Sequence, residues 1–126
     1  MASVPRISDA EWQVMQVLWA DAPLTANQIV QLLAPDSSWN PRTIKTMLNR
    51  LVNKGALKFE IEGKRYLYRP AVSRDVCVRG ESRSFLQRVF GGKLAPMLAH
   101  FVEDEKLSKS EIEKLKRLLD NKGGER

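Results

Sequence analysis

The chain has 126 residues, 43% of them apolar and 29% charged, with 21 Lys and Arg against 15 Asp and Glu for a net charge of +6. That length and composition suit one domain, or a small domain with an appendage, and exclude wholesale disorder. No apolar run reaches the ~18 residues of a membrane span. Asp9, Glu11, Gln13 and Gln16 break up any secretory signal, and the single Cys77 and single His100 exclude an internal disulfide and a Cys-cluster metal site. A cytoplasmic protein without a cofactor, and not an enzyme, is expected.

Three helix starts carry one signature. Ser8 and Glu11, Thr25 and Gln28, and Ser108 and Glu111 each stand three apart between apolar residues. This is the pattern of a capping box with a hydrophobic staple. The first helix should run to about Trp19, with Trp12, Met15, Leu18 and Trp19 at helical spacing and Ala22-Pro23 as its break. The second should reach about Leu33, with Ile29, Leu32 and Leu33 inward, followed by a loop at Pro35-Asp36-Ser37-Ser38. Asn40 as cap and Pro41 at the first helical position start a third helix, and Gly55 suits the left-handed position just past its end.

Beyond Gly55 the period changes to two. Leu57, Phe59 and Ile61 alternate with Lys58, Glu60 and Glu62; Gly63-Lys64 is a turn signal, and Arg65–Arg69 alternates until Pro70. Tyr66 and Tyr68 are expected to hold this hairpin against the helices. Three helices and a hairpin in about 70 residues have the layout of a winged helix-turn-helix. Further helices follow, from about Ser73 to Gly91-Gly92, one with Pro96 in its first turn, and one capped by Ser108, with a frayed tail at residues 122–126.

The charge is localised. Residues 39–69 hold eight basic residues and two acids, a net +6 that equals the excess of the whole chain. At 100° per residue the third helix puts Ile44, Met47, Leu48, Leu51 and Val52 on one face. Arg42, Thr43, Lys45, Thr46, Asn49, Arg50 and Asn53 occupy the other, with no acid among them. A solvated face ordinarily mixes signs through i,i+4 pairs. An acid-free face of Arg, Lys, Thr and Asn suits duplex DNA: Arg to guanine, Asn to adenine, Thr to the thymine methyl, Lys to phosphate. Base-edge contacts are expected from Lys45, Thr46, Asn49 and Arg50, and backbone contacts from Arg42, Thr43 and the wing-tip Lys64 and Arg65. The competing reading is a winged helix that docks a protein instead of DNA. An exposed apolar patch or an acid on the third helix would favour it.

Cys77 reads as an inert thiol and His100 as a structural histidine, neither having a partner at ligand spacing. The chain divides into a winged-helix domain, 1–72, and a helical dimerisation region, 73–126. The latter has apolar stripes but is short for a core of its own. Phe85, Leu86, Val89, Phe90, Met97, Phe101, Ile112, Leu115 and Leu119 are expected to pack against a second copy, giving a homodimer and a pseudo-palindromic operator. The fold class expected is mostly α with a small β-hairpin.

Asp9-Ala10-Glu11-Trp12-Gln13-Val14-Met15, the run from Trp39-Asn40-Pro41-Arg42 to Asn53-Lys54-Gly55, Tyr66-Leu67-Tyr68, Phe90-Gly91-Gly92 and Phe101-Val102-Glu103 resemble the penicillinase-repressor (BlaI/MecI/CopY) family over residues 7–122. The resemblance implies a dimeric winged-helix repressor on a dyad operator, with Arg42, Lys45, Thr46 and Arg50 at the positions of the family's reading-helix contacts. In its β-lactam branch a membrane sensor protease leads to cleavage between an Asn and a Phe. The matching bond here is His100-Phe101, which keeps the Phe and lacks the Asn. Its copper branch carries paired cysteines near the C-terminus, and residues 116–126 have none.

Overall fold

In a computed structural model the residues described are 4–33 and 39–124; the expected loop at 35–38 and the last two residues of the expected tail lie outside them. Ser8 caps α1 (Asp9–Ala20), its Oγ accepting from the Glu11 N–H at 3.2 Å while the Ser8 N–H donates to Glu11 Oε1 at 2.9 Å. Thr25 and Gln28 repeat the exchange at the start of α2 (Ala26–Leu33), at 3.2 and 2.8 Å. Asn40 caps α3 (Pro41–Asn53) by accepting from the Thr43 N–H at 2.8 Å. At its far end the Ala56 N–H reaches the Leu51 carbonyl at 2.9 Å and the Gly55 N–H the Val52 carbonyl at 3.0 Å. This Schellman closure requires the left-handed backbone that Gly55 supplies at φ +84°.

The hairpin forms as β1 (Leu57–Glu62) and β2 (Arg65–Pro70), antiparallel, with Phe59 opposite Tyr68 and Ile61 opposite Tyr66. Gly63 turns it at φ +64°. Leu24 pairs with Tyr68 through hydrogen bonds of 3.2 and 2.8 Å, which ties the base of the wing to the α1–α2 connection.

The core lies among α1, α2, α3 and the base of the hairpin. Val14, Met15, Leu18, Ile29, Ile44, Leu48 and Leu51 are the largest fully buried side chains among the described residues, and Leu57 and Tyr68 close the core on the wing side. Burial of a side chain of this size contributes ~1.5–3 kcal/mol. Trp12 and Trp19 pack half-buried against the core and rest on each other, ring centres 5.4 Å apart, with Val14 buried more deeply. Trp19 Nε1 donates to the Val72 carbonyl at 3.0 Å. Two expectations, on Leu32 and Tyr66, are corrected here. Leu32 points outward and is 50% exposed, since Ile29 and Leu33 already span the buried side of a two-turn helix. Tyr68 anchors the wing, but Tyr66, two residues nearer the tip, is exposed and stacks on Phe59 at 4.7 Å.

The chain forms two compact units, residues 1–82 and 83–126. The first therefore reaches past residue 72 into α4 (Arg74–Phe90), because Cys77 on its second turn belongs to the core. The second unit holds the end of α4, α5 (Leu94–Asp104) and α6 (Lys109–Gly123). Pro96 sits in the first turn of α5 as expected, and α6 extends two residues, Lys122 and Gly123, into the segment expected to fray. Phe85, Phe90 and His100 form an aromatic chain at 6.0 and 5.7 Å. Neither α5 nor α6 has a buried residue. Leu98, Val102, Leu107, Ile112, Leu115 and Leu119 line an apolar groove of about 640 Å³ in this unit. Of the residues expected to dimerise, Phe85, Leu86, Phe90 and Met97 are half-buried, and Val89, Phe101, Ile112, Leu115 and Leu119 are exposed.

Candidate nucleic-acid interface

The amphipathic pattern of α3 sets the geometry of the site. With Ile44, Met47, Leu48 and Leu51 driven into the core, Arg42, Thr43, Lys45, Thr46, Asn49 and Arg50 are all left exposed on the opposite face. No acid and no exposed apolar side chain interrupts that face. The tight turn at Gly63 carries Lys64 and Arg65 at the wing tip, both exposed.

Four of these eight residues come together. Lys45 and Asn49, one helical turn apart, share a cleft of about 530 Å³ with Lys64 and Arg65. Thr25, Ala26 and Asn27 at the start of α2 and Tyr66 and Tyr68 on the wing complete its walls. Arg42, Thr43, Thr46 and Arg50 do not line it. They extend the cationic surface along α3, outside the cleft. A cleft with cations on two walls and helix-start N–H groups on a third has the charge and the donors that suit an anionic strand.

Thr25, Asn27 and Tyr66 also line the cleft and were not singled out for it in the sequence. The capping box at Thr25 marked a helix start but not which way it faced. The alternation of the wing marked Tyr66 as a strand residue but not which side of the hairpin stays open.

Hydrogen bonds within α3 limit what two of its side chains can offer. The Thr43 hydroxyl donates to Asn40 Oδ1 at 3.1 Å, and the Thr46 hydroxyl donates to the Arg42 carbonyl at 2.9 Å. Thr43, expected on the backbone, thus spends its hydroxyl proton on the helix cap.

The eight cations of residues 39–69 are not equivalent. Lys54 Nζ is bound to Glu11 Oε1 at 2.5 Å and to the Arg6 carbonyl at 2.9 Å, and Arg69 meets Glu60 at 3.1 Å. Arg65 stands 4.0 Å from Glu62 with both side chains about two-thirds exposed, a contact of little weight in water. Among the described residues no ion pair engages Arg42, Lys45, Arg50 or Lys64. Lys54 at the end of α3 and Arg69 on the wing thus have acidic partners, and Arg42, Lys45, Arg50 and Lys64 are open.

Glu11 is nearly fully buried. Burial pushes its carboxyl up, but Lys54 and the Ser8 N–H outweigh this and hold it below the usual carboxylate range. Burial pushes the Cys77 thiol up, which keeps it protonated and unreactive.

The family model described as "Penicillinase repressor" matches residues 7–121. The penicillinase repressor of Bacillus licheniformis is 39% identical over 120 residues, covering 95% of this chain and 94% of that one. The methicillin resistance regulatory protein MecI of Staphylococcus aureus (strain N315) is 34% identical over 116 residues, covering 92% of this chain and 94% of that one. The solution structure of Bacillus licheniformis BlaI, in monomeric form with the blaP half-operator, aligns at a TM-score of 0.53 and 41% identity over 60% of this chain and 93% of that one. A match over nearly all of the chain, on a winged-helix frame with an acid-free third helix, leads to one conclusion: the chain belongs to the penicillinase repressor family.

Proposed function

We propose that this DNA-binding transcriptional repressor works as a homodimer on a pseudo-palindromic operator. Each protomer lays α3 in a major groove, and the flanking strand lies in the cleft between α2, α3 and the wing tip. The observation that carries this reading is the exposed, acid-free face of α3 with its unpaired Arg42, Lys45 and Arg50. The protein-docking alternative lacks its markers, since that face holds neither an acid nor an exposed apolar side chain.

The exposed apolar side chains of α5 and α6 support self-association through the second unit. Two α3 helices in one dimer engage two half-sites, and linkage raises the apparent affinity without new contacts. The site of action is the cytoplasm, where the operator is. If a membrane sensor protease releases the repressor, the bond His100-Phe101 lies inside α5, and cutting it requires that helix to open.

Selection of bound fragments from random duplexes tests the reading: a recurring inverted repeat is the expected product. Gel shifts on that repeat should show affinity falling ~10³–10⁵-fold between 50 and 200 mM salt for a dimer that neutralises ~6–10 phosphates. A flat salt response, or no enriched sequence, defeats it.

A further inference from the structure

The root of α4 is held to the rest of the first unit at three points. Trp19 Nε1 donates to the Val72 carbonyl at 3.0 Å, two residues before the helix begins. Cys77, one turn on from Ser73, is 2% exposed and lies in the core. Gly80, a further turn on, meets the N-terminal segment: a Cβ at that position would stand 3.2 Å from Val4 Cγ1, so the missing side chain lets the segment lie this close. That segment is itself anchored, by the buried Ile7 and by the Arg6 carbonyl, which accepts from Lys54 Nζ at 2.9 Å. Residues 73, 77 and 80 stand at i, i+4 and i+7, so these contacts fall along one face of the helix. The Ser73 hydroxyl accepts from the Val76 N–H at 3.1 Å and its carbonyl from the Cys77 N–H at 3.2 Å, which fixes the first turn. Of the three points, the Trp19 bond is the directional one. Packing of its half-buried ring on Trp12 needs only an aromatic body, whereas the N–H ties the last turn of α1 to the place where the wing passes into α4.

A dimer on an inverted repeat holds its two reading helices at one separation only if α4 leaves each reading unit in a fixed direction. Resting on the homodimer reading above, we propose that Trp19 is a positioning residue for operator spacing. Its indole N–H pins the root of α4 to the reading unit, with the Val4–Gly80 contact as a second pin, and so sets which half-site separation the dimer accepts. Trp19 acts through α4 and not on the DNA. Its loss changes the tolerance of spacing and leaves the recognition of a single half-site alone.

The test uses the full-length protein, the inverted repeat obtained by selection, the same repeat with one base pair inserted or removed at its centre, and a duplex with a single half-site. One base pair moves a half-site ~3.4 Å along the duplex and turns it ~35° about the axis. Wild type should lose ~10²-fold or more on either altered repeat, the share of affinity that linkage supplies. Trp19→Phe keeps an aromatic ring and drops the donor. It should bind the single half-site as wild type does. Its loss on the altered repeats should shrink to about tenfold or less, since a loose root reaches both half-sites at more than one separation. Val4→Ala opens the contact over Gly80 and should move spacing tolerance the same way, by less. Trp12→Phe alters the same aromatic pair with the Trp19 N–H in place and should keep the full wild-type loss. Thermal melting verifies that each variant is folded. Full wild-type losses in both Trp19→Phe and Val4→Ala overturn the proposal. So does a Trp12→Phe variant that relaxes spacing as far as Trp19→Phe, since ring packing and not the bond would then be at work. A Trp19→Phe variant that loses as much affinity for the single half-site as for the natural repeat overturns it too, because the tryptophan would then support the reading unit itself. A wild type that selects a repeat but binds all three spacings equally overturns the proposal and leaves the DNA reading intact. A wild type that selects no repeat overturns both.

Discussion

The two compact units differ in what their helices bury. In residues 1–82 three helices and a hairpin enclose fully buried side chains from each of α1, α2 and α3. In residues 83–126 α6 carries a complete capping box, yet Val102, Leu118 and Leu119 stay more than half exposed. The same kind of amphipathic helix therefore serves two ends. Where hydrophobic stripes converge on one another within the chain they make a core. Where they are left open they make an exposed apolar surface of the kind that marks an interaction site. The first unit exposes the polar face of α3, and the second exposes apolar side chains of α5 and α6.

Removing the second unit sharpens this contrast most. A fragment of residues 1–82, which retains Cys77, should sediment as a folded monomer. Its operator affinity should fall by ~10²–10⁴-fold from that of the full chain through loss of linkage. A fragment that is still dimeric would place self-association in the wrong unit.

Paired truncations come next. Leu48→Ala in the first unit removes a fully buried side chain and should cost ~2–5 kcal/mol in urea unfolding. Leu118→Ala, at a site 62% exposed, should change unfolding in the dissociated state by less than ~0.5 kcal/mol and yet weaken the dimer. Equal effects of the two substitutions at dissociating concentrations would erase the distinction.

The ion pair beneath α3 has a smaller effect with a definite pH signature. Because Glu11 is held below the usual carboxylate value, its contribution is fully present above the unfolded value of ~4.3 and is lost as pH falls through the lower folded one. Glu11→Gln should cost ~1–3 kcal/mol at pH 7. The gap from wild type in urea midpoints should narrow on acidification towards pH 3. A gap that widens would mean that the carboxylate does not stabilise the folded state.

On the binding surface, Lys45→Ala and Arg50→Ala should each cost ~1–3 kcal/mol of specific affinity with the fold unchanged. Lys54→Met should leave the salt dependence of binding nearly unaltered, because Lys54 is already occupied by Glu11. A salt slope that drops for Lys54→Met as much as for Lys45→Ala would put both cations on DNA.

Much of this was legible in the sequence because it is local. A capping box needs residues three apart, and all three predicted boxes form with hydrogen bonds of 2.8–3.2 Å. The change of period from 3.6 to two marked the hairpin, and a left-handed glycine marked the end of α3. The same periodicity told which face of α3 would be polar, since buried and exposed sides of a single helix are separated by a fixed rotation.

Tertiary structure decided the rest. Charge counting treated Lys54 as one more cation of the basic segment, but it pairs with Glu11, 43 residues away. Leu32 and Val14 are both apolar residues of amphipathic helices; which of them is buried depends on the helices and wing that arrive from elsewhere in the chain. The cleft joining Thr25–Asn27, Lys45, Asn49 and Tyr66 is likewise a product of non-local approach. Local hydrogen bonding and residue spacing specify elements and their faces. Only the packing of those faces against distant partners settles which charges are neutralised, which apolar residues are covered, and which polar groups meet around one site.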